Sequence, residues 1–232
     1  TEPFKHLLTQ GMVIKDGAKM SKSLGNTVDL SEIIERYGVD TTRLFILFTA
    51  PPDRDLAWSD QGVEGSFRFL SRVFRVVTQA SAASDSTPIE KARHQTIAAV
   101  THDIQRFQYN TAISHLMTFV NTLTKHGTTP EAVDTLLRLL APFAPLITEE
   151  LWHQHSHSNS IHSQSWPTHD PKQLEHDTCT VVFQINGKVP RRIHKRIHGI
   201  GFALCGCSAS WAGRIYKVRA IVQRIVGLGK IH

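Results

Sequence analysis

Along most of this chain the apolar positions recur three and four residues apart, the spacing of helices with one buried face. A strand-like run over residues 7–14 comes first and stops at the turn signal Lys15-Asp16-Gly17. Residues 17–26 are polar with glycine at both ends of the stretch, the composition of a loop. Asp29, followed three residues later by Glu32, reads as a capping box opening a helix over 30–37, with Gly38 just past its end. Asp40 is placed to cap a second helix, whose run Leu44-Phe45-Ile46-Leu47-Phe48 halts before Pro51-Pro52. Ser59 caps a third, with Val63, Phe67, Leu70, Val73, Phe74 and Val77 at helical spacing and Arg68, Arg72 and Arg75 on other faces. A small polar linker over 81–87 leads to Pro88, suited to the first turn of a fourth helix. Helical spacing returns over 96–107 (Ile97, Val100, Ile104, Phe107) and over 111–125 (Ile113, Leu116, Met117, Val120, Leu123). After Gly127 it continues over 130–140 and 145–155. Helices of this length on short connections predict an antiparallel bundle. Beyond Trp166-Pro167 the period changes: residues 178–185 are rich in β-branched side chains, and Asn186-Gly187 is a strong hairpin signal. The fold class is mainly α, with a small β-containing domain beginning after the bundle.

Composition narrows the picture. The chain has 232 residues, room for one to two domains, and 41% hydrophobic and 20% charged residues, as in ordinary globular proteins. No apolar run approaches the ~18–20 residues of a membrane span, and the first residues do not resemble a signal peptide. Cys179, Cys205 and Cys207 are too few for a disulfide framework, so a reducing, cytoplasmic setting is expected. Charge is divided unevenly. Residues 1–187 hold 16 Lys+Arg and all 20 Asp+Glu, whereas residues 188–232 hold 10 Lys+Arg and no acid. No Gly-x-Ser-x-Gly elbow or Walker-type phosphate loop occurs.

The residues that carry chemistry are Lys19-Met20-Ser21-Lys22-Ser23. Two lysines three apart, with hydroxyl residues between and after them in a glycine-flanked loop, suit a polyphosphate: mobile ammonium charges, serine hydroxyls and loop N–H groups all serve anionic oxygens. A lysine that meets a leaving pyrophosphate in the transition state accelerates its departure. The same composition also fits a solvated basic loop.

The wider sequence resembles the class I aminoacyl-tRNA synthetases, whose second signature is matched at all five positions by residues 19–23, with Asp16-Gly17-Ala18 and Gly25-Asn26 flanking it. Such a match arises by chance at a rate of about 10⁻⁴ in a chain this long. Further segments resemble the bacterial leucyl-tRNA synthetase branch. They include Ala50-Pro51-Pro52, Asp55-Leu56-Ala57-Trp58-Ser59-Asp60, Gly62-Val63-Glu64-Gly65 and Arg68-Phe69-Leu70. Later ones are Leu140-Ala141-Pro142-Phe143-Ala144-Pro145, Glu149-Glu150-Leu151-Trp152, Ser165-Trp166-Pro167 and Gln184-Ile185-Asn186-Gly187-Lys188-Val189. The resemblance extends over about residues 1–190.

It implies the end of a Rossmann-type catalytic domain over 1–55, a helical anticodon-binding-type bundle over 56–158 and a C-terminal domain over 175–232, atypical after about 190. The implied activity is ligation of leucine to tRNA(Leu) with ATP, supplied as its Mg²⁺ complex, through a leucyl adenylate. Lys22 is implied to contact ATP and the departing pyrophosphate, and Lys19 to support it; Met20, Ser21 and Ser23 complete the ATP loop. A monomer acting away from membranes is expected. The family's first signature, His-Ile-Gly-His, is not in this sequence. The chain is therefore expected to be a C-terminal piece of a longer enzyme, inactive alone. A sister synthetase for isoleucine, valine or methionine would share residues 19–23 and differ around Trp58-Ser59 and residues 184–189. A non-catalytic tRNA-binding module would have no need of the loop lysines.

Other constellations are weaker. Three origins fit the acid-free run after Pro190: a basic tail for tRNA phosphates, a reading-frame change, or a divergent folded domain. The joint loss of resemblance and of acids favours the second. Cys205-Gly206-Cys207, with His198 nearby, lacks a second cysteine pair for a metal. His153, His155 and His157 read as a polar loop rather than a metal site, and Asp53 and Asp55 as an exposed turn. Arg68, Arg72 and Arg75 fit either a solvated helix face or phosphate contacts.

Overall fold

A computed structural model describes residues 3–79, 81–83, 85–155 and 157–174, and beyond them the backbone of five strands between residues 178 and 222. Residues Thr1–Gln173 form one compact unit and Leu174–His232 another. The first unit opens with a three-stranded sheet: β1 (Val13–Lys15) pairs antiparallel with β2 (Ala18–Lys19) and parallel with β3 (Leu56–Ala57). Between β1 and β2, Asp16 and Gly17 both take positive φ (55° and 75°), the two-residue turn that matches the twist of a hairpin. The described residues contain seven α-helices, the first two lying between β2 and β3: α1 (Leu30–Tyr37), α2 (Val39–Thr49), α3 (Asp60–Gln79), α4 (Thr87–Gln105), α5 (Tyr109–His126), α6 (Pro130–Leu140) and α7 (Pro145–Gln154). The mainly α class is the one expected, and no described helix is long and apolar enough to cross a membrane.

Several local signals act as read. Asp29 accepts the Ser31 N–H at 2.8 Å to cap α1, and Ser59 Oγ accepts the Gly62 N–H at 3.2 Å to cap α3. Others act differently. The strand expected over 7–14 is confined to Val13–Lys15, because β3 is two residues long and offers no ladder upstream. That upstream segment is instead fastened by single bonds, Gly11 N–H to the Pro52 carbonyl (2.9 Å) and Met12 N–H to Asp55 Oδ1 (2.8 Å). A Cβ at position 11 would sit 2.1 Å from the Arg54 carbonyl oxygen, so the close crossing requires glycine. The separate helices expected at Pro88 and over 96–107 are one helix, α4, since no glycine or proline interrupts residues 89–105. Phe107 falls past its end with φ 58° and is half exposed. In α3 the buried aromatic is Phe69, while Phe67 and Phe74 are exposed.

Asp40 is the most instructive correction. It does not cap its own helix, whose N-cap is Gly38. Its Oδ2 accepts the Ile147 N–H at 2.7 Å, capping α7, where Ala144 has no side chain able to do so. One turn along α2, Arg43 donates to the Pro142 carbonyl from Nη2 at 3.1 Å. The apolar cores divide at the same helix. Leu44 joins the large core built from α3 to α7, whereas Phe45 packs with Leu56 and Val63 in a smaller core bordered by Ile33, Tyr37 and Trp58. The Phe45 and Trp58 rings meet edge to face at 5.0 Å.

In the second unit β4 (Thr178–Ile185) lies between β5 (Lys188–Arg196) and β8 (Arg219–Val222), antiparallel to both, and β6 (Ser210–Trp211) pairs with β7 (Arg214–Ile215). The β4–β5 register shifts between Phe183 and Ile185, opposite Pro190, which has no N–H to give the ladder. The Asn186-Gly187 turn, Cys205-Gly206-Cys207 with His198, and most of the acid-free run lie outside the described residues.

Two outcomes are expected. Leu44→Ala empties a fully buried site and should cost about 2–5 kcal/mol in urea unfolding, against less than about 1 kcal/mol for the partly exposed Ile46→Ala. The second concerns His94 of α4, whose Nδ1 accepts the Asp170 N–H at 3.0 Å, a bond that requires Nδ1 to be unprotonated. Burial, and then the Arg93 charge, hold its pKa below the ordinary 6.5, against the opposing pull of Glu90 and Asp170. The unfolded chain therefore binds the proton first, and this contribution is complete above that value and lost as pH falls below it. Urea midpoints at about pH 7.5 and about pH 5.5 should differ less in His94→Gln than in the parent chain.

Candidate functional site

The loop expected over 17–26 is more ordered than its composition implied. Ala18 and Lys19 form the second strand of the hairpin, and Met20, half-buried, extends the ladder by donating its N–H to the Val13 carbonyl at 3.1 Å. Ser21, extended at φ −150°, then caps a single 3-10 turn, Lys22–Leu24, its Oγ accepting the Leu24 N–H at 3.2 Å. Ser21 Oγ and Ser23 Oγ lie 3.0 Å apart. The turn closes at Gly25, whose N–H meets the Lys22 carbonyl at 3.2 Å. Each serine thus has a conformational task, while Lys19 stands at the end of a strand and Lys22, between the two serines, at the start of the 3-10 turn.

Lys19 and Lys22 are exposed, and neither makes an ion pair among the described residues. Both ammonium groups are available to an incoming anion. Asn26, which sequence reading left as mere flank, is the residue that holds the loop together. Its Oδ1 accepts the Ser21 N–H at 2.9 Å, and its Nδ2 faces the carbonyls of Lys15 (3.3 Å), Ala18 (3.4 Å) and Lys19 (3.3 Å). Its signals in the sequence are its place in the Gly25-Asn26 flank of the signature and an amide side chain able to donate and accept at once.

Behind the hairpin a cleft of about 320 Å³ opens between Lys15, Thr27, Glu32, Arg36, Tyr37 and Asp60, and the loop lysines lie outside it. A second groove, about 590 Å³, runs between α2, α3 and α7 and is lined by Phe67, Phe74, Arg75, Leu146 and Asp40. Of the three arginines on α3, Arg68 pairs with Glu64 at 2.9 Å and Arg72 donates to Asn121 Oδ1 at 3.0 Å. Arg75 alone of the three lines the groove.

The remaining candidates are structural. Asp55 anchors Met12, while Asp53 pairs loosely with Arg54 at 4.0 Å in an exposed turn. His153 Nε2 lies 3.1 Å from Glu149 Oε1, and His157 stacks on Trp152 at 3.6 Å with Nε2 3.3 Å from Asp134. Burial opposes ionisation of Glu149, yet the Ile161 N–H, the Ser160 hydroxyl and His153 together hold its pKa below the ordinary carboxylate value. These contacts fasten residues 157–164 to α6 and α7. No cluster suited to a metal ion occurs among the described residues.

Residues 1–59 match the family model for tRNA synthetases class I (I, L, M and V), and residues 88–197 match that for the anticodon-binding domain of tRNA ligase. A leucine–tRNA ligase of Geobacter sp. (strain M21) is 46% identical over 215 residues, which cover 83% of this chain and 26% of that protein. One from Syntrophobacter fumaroxidans is 46% identical over 218 residues with the same coverage. Among solved structures, the Agrobacterium radiobacter K84 agnB2 LeuRS, crystallised in a ternary complex with tRNA and LeuAMS, superposes with a TM-score of 0.69 at 32% identity. That superposition covers 84% of this chain and 28% of the LeuRS chain. The chain spans about a quarter of the length of the curated relatives it matches.

Proposed function

The chain belongs to the class I tRNA synthetases and is homologous to leucine–tRNA ligases; from that premise we propose that it serves as the loop-bearing and tRNA-binding part of such a ligase. The whole enzyme joins leucine to tRNA(Leu) at the expense of ATP. In this reading the leucine carboxylate attacks the α-phosphate of ATP, delivered with Mg²⁺ as part of the substrate. Pyrophosphate leaves, and a hydroxyl of the terminal adenosine of the tRNA then takes the leucyl group from the adenylate, releasing AMP.

The observation that carries the reading is the intact Lys-Met-Ser-Lys-Ser loop, folded on a hairpin with both lysines unpaired among the described residues. Lys22 meets the β- and γ-phosphates as negative charge builds on the leaving group, and Lys19 adds to the positive field. Met20 is half-buried, while Ser21 and Ser23 set the shape of the turn. The stabilisation is greatest when the bond to pyrophosphate is breaking, so it acts on rate rather than on leucine affinity. In this scheme residues 1–55 end the catalytic domain, residues 56–158 form the bundle that grips tRNA(Leu), and residues 175–232 begin a further domain. A non-catalytic tRNA-binding module would leave the two free lysines without a purpose.

The test uses a hybrid in which this chain replaces the matching part of a full-length leucine–tRNA ligase. Lys22→Ala should lower kcat for ATP–pyrophosphate exchange by about 10²–10³-fold while the KM for leucine stays within about twofold. An unaltered kcat would remove Lys22 from its role. The 232-residue chain by itself, with no His-Ile-Gly-His tetrapeptide, should give no exchange.

A further inference from the structure

We infer that Asn26 is a positioning residue for the lysine loop, an amide latch that fixes where Lys19 and Lys22 present their charges; this rests on the proposed role of the loop. Four backbone groups converge on the one side chain. Oδ1 takes the Ser21 N–H at 2.9 Å, and the two Nδ2 hydrogens are shared among the carbonyls of Lys15, Ala18 and Lys19 at 3.3–3.4 Å. These groups belong to the last residue of β1, both residues of β2 and the cap of the 3-10 turn. The latch therefore spans the whole path from the sheet to Lys22.

Nothing else in the loop does this. The serine contacts are local: Ser21 Oγ reaches Leu24 N and Ser23 Oγ, both within the turn itself. The hairpin ladder ends with the bond from Met20 to Val13. Between that bond and α1, Asn26 supplies the side-chain link from the 3-10 turn back to the strands. Asn26 is half-buried, so its bonds are partly shielded from competing water, whereas Lys19, Lys22 and Ser23 are exposed. A side chain that both donates and accepts is required. Aspartate could keep the Ser21 bond but not the three carbonyls, and alanine keeps none.

Limited trypsin digestion of the 232-residue chain tests the latch without reference to activity. Asn26→Ala should raise the initial rate of cleavage after Lys19 and Lys22 by at least about tenfold, as local opening becomes easier, with cleavage after Lys172 unchanged. Asn26→Asp should give an intermediate rate. Unchanged loop cleavage in Asn26→Ala overturns the inference. Should Asn26→Ala also expose the helical Lys91, Asn26→Asp decides: faster cleavage confined to the loop upholds the latch, and general or unchanged cleavage overturns it. In the hybrid ligase, Asn26→Ala should lower kcat for pyrophosphate exchange about tenfold with the KM for leucine unaltered, the split that separates positioning from general damage. If Lys22→Ala slows exchange and Asn26→Ala does not, the latch is wrong. If Lys22→Ala has no effect, the reading of the loop is wrong, and the digestion still decides whether Asn26 orders it.

Discussion

Helix α2 is where two hydrophobic cores are joined, and the rest of the first unit depends on that joint. Successive residues, Leu44 and Phe45, point about 100° apart around a helix, so one enters the bundle core and the other the small core beneath the hairpin. Neither core could slide against the other without emptying one of these sites. Two polar bonds fix the remaining freedom. Asp40 caps α7 and Arg43 holds the Pro142 carbonyl at the α6–α7 corner. The carboxylate sits at the positive end of a helix and the guanidinium meets a carbonyl left free where another helix ends, so each contact gains from the local backbone charge. The lysine loop, anchored through the hairpin and β3 to the small core, is thereby given a defined position relative to the bundle.

Much of the bundle was legible because its signals are local and periodic. Ile97, Val100, Ile113, Leu116, Val120 and Leu123 recur at helical spacing and are buried as that spacing requires. Local signals fail where the partner is distant. Asp40 carries the signature of a cap for the helix it begins, yet its hydrogen-bond partner lies 107 residues away. In α3, spacing alone admits Phe67 and Phe74 to the stripe, but the helices packed on it are α1, α2, α5 and α7, and their placement turns Phe69 inward instead. The extent of β1 was misjudged for the same reason, since a strand ends where its partner does.

The candidate site shows the converse. The chemistry proposed for the loop rests on five residues, whose types suit a polyphosphate and whose order matches the family's second signature. The loop's structural order was not readable, because Gly, Ser, Asn and Lys are as common in floppy segments as in turns that are fully hydrogen-bonded. What converts the one into the other is a single amide side chain with four backbone contacts, and no periodicity announces such a residue.

Charge separates the paired cations of this unit from the two lysines of the loop. Arg43, Arg68, Arg72 and Arg93 are each engaged by a carbonyl, a carboxylate or an amide oxygen. The histidines at the far end of α7 are likewise matched with Glu149 and Asp134. A cation already paired has little left to offer a ligand, because binding must first break what holds it. Lys19 and Lys22 differ from those groups: their backbone is hydrogen-bonded into the hairpin and turn, while their ammonium groups make no ion pair among the described residues. Rigid anchorage with unspent charge is the arrangement electrostatic stabilisation of a leaving anion requires, since the site need not reorganise as that charge appears.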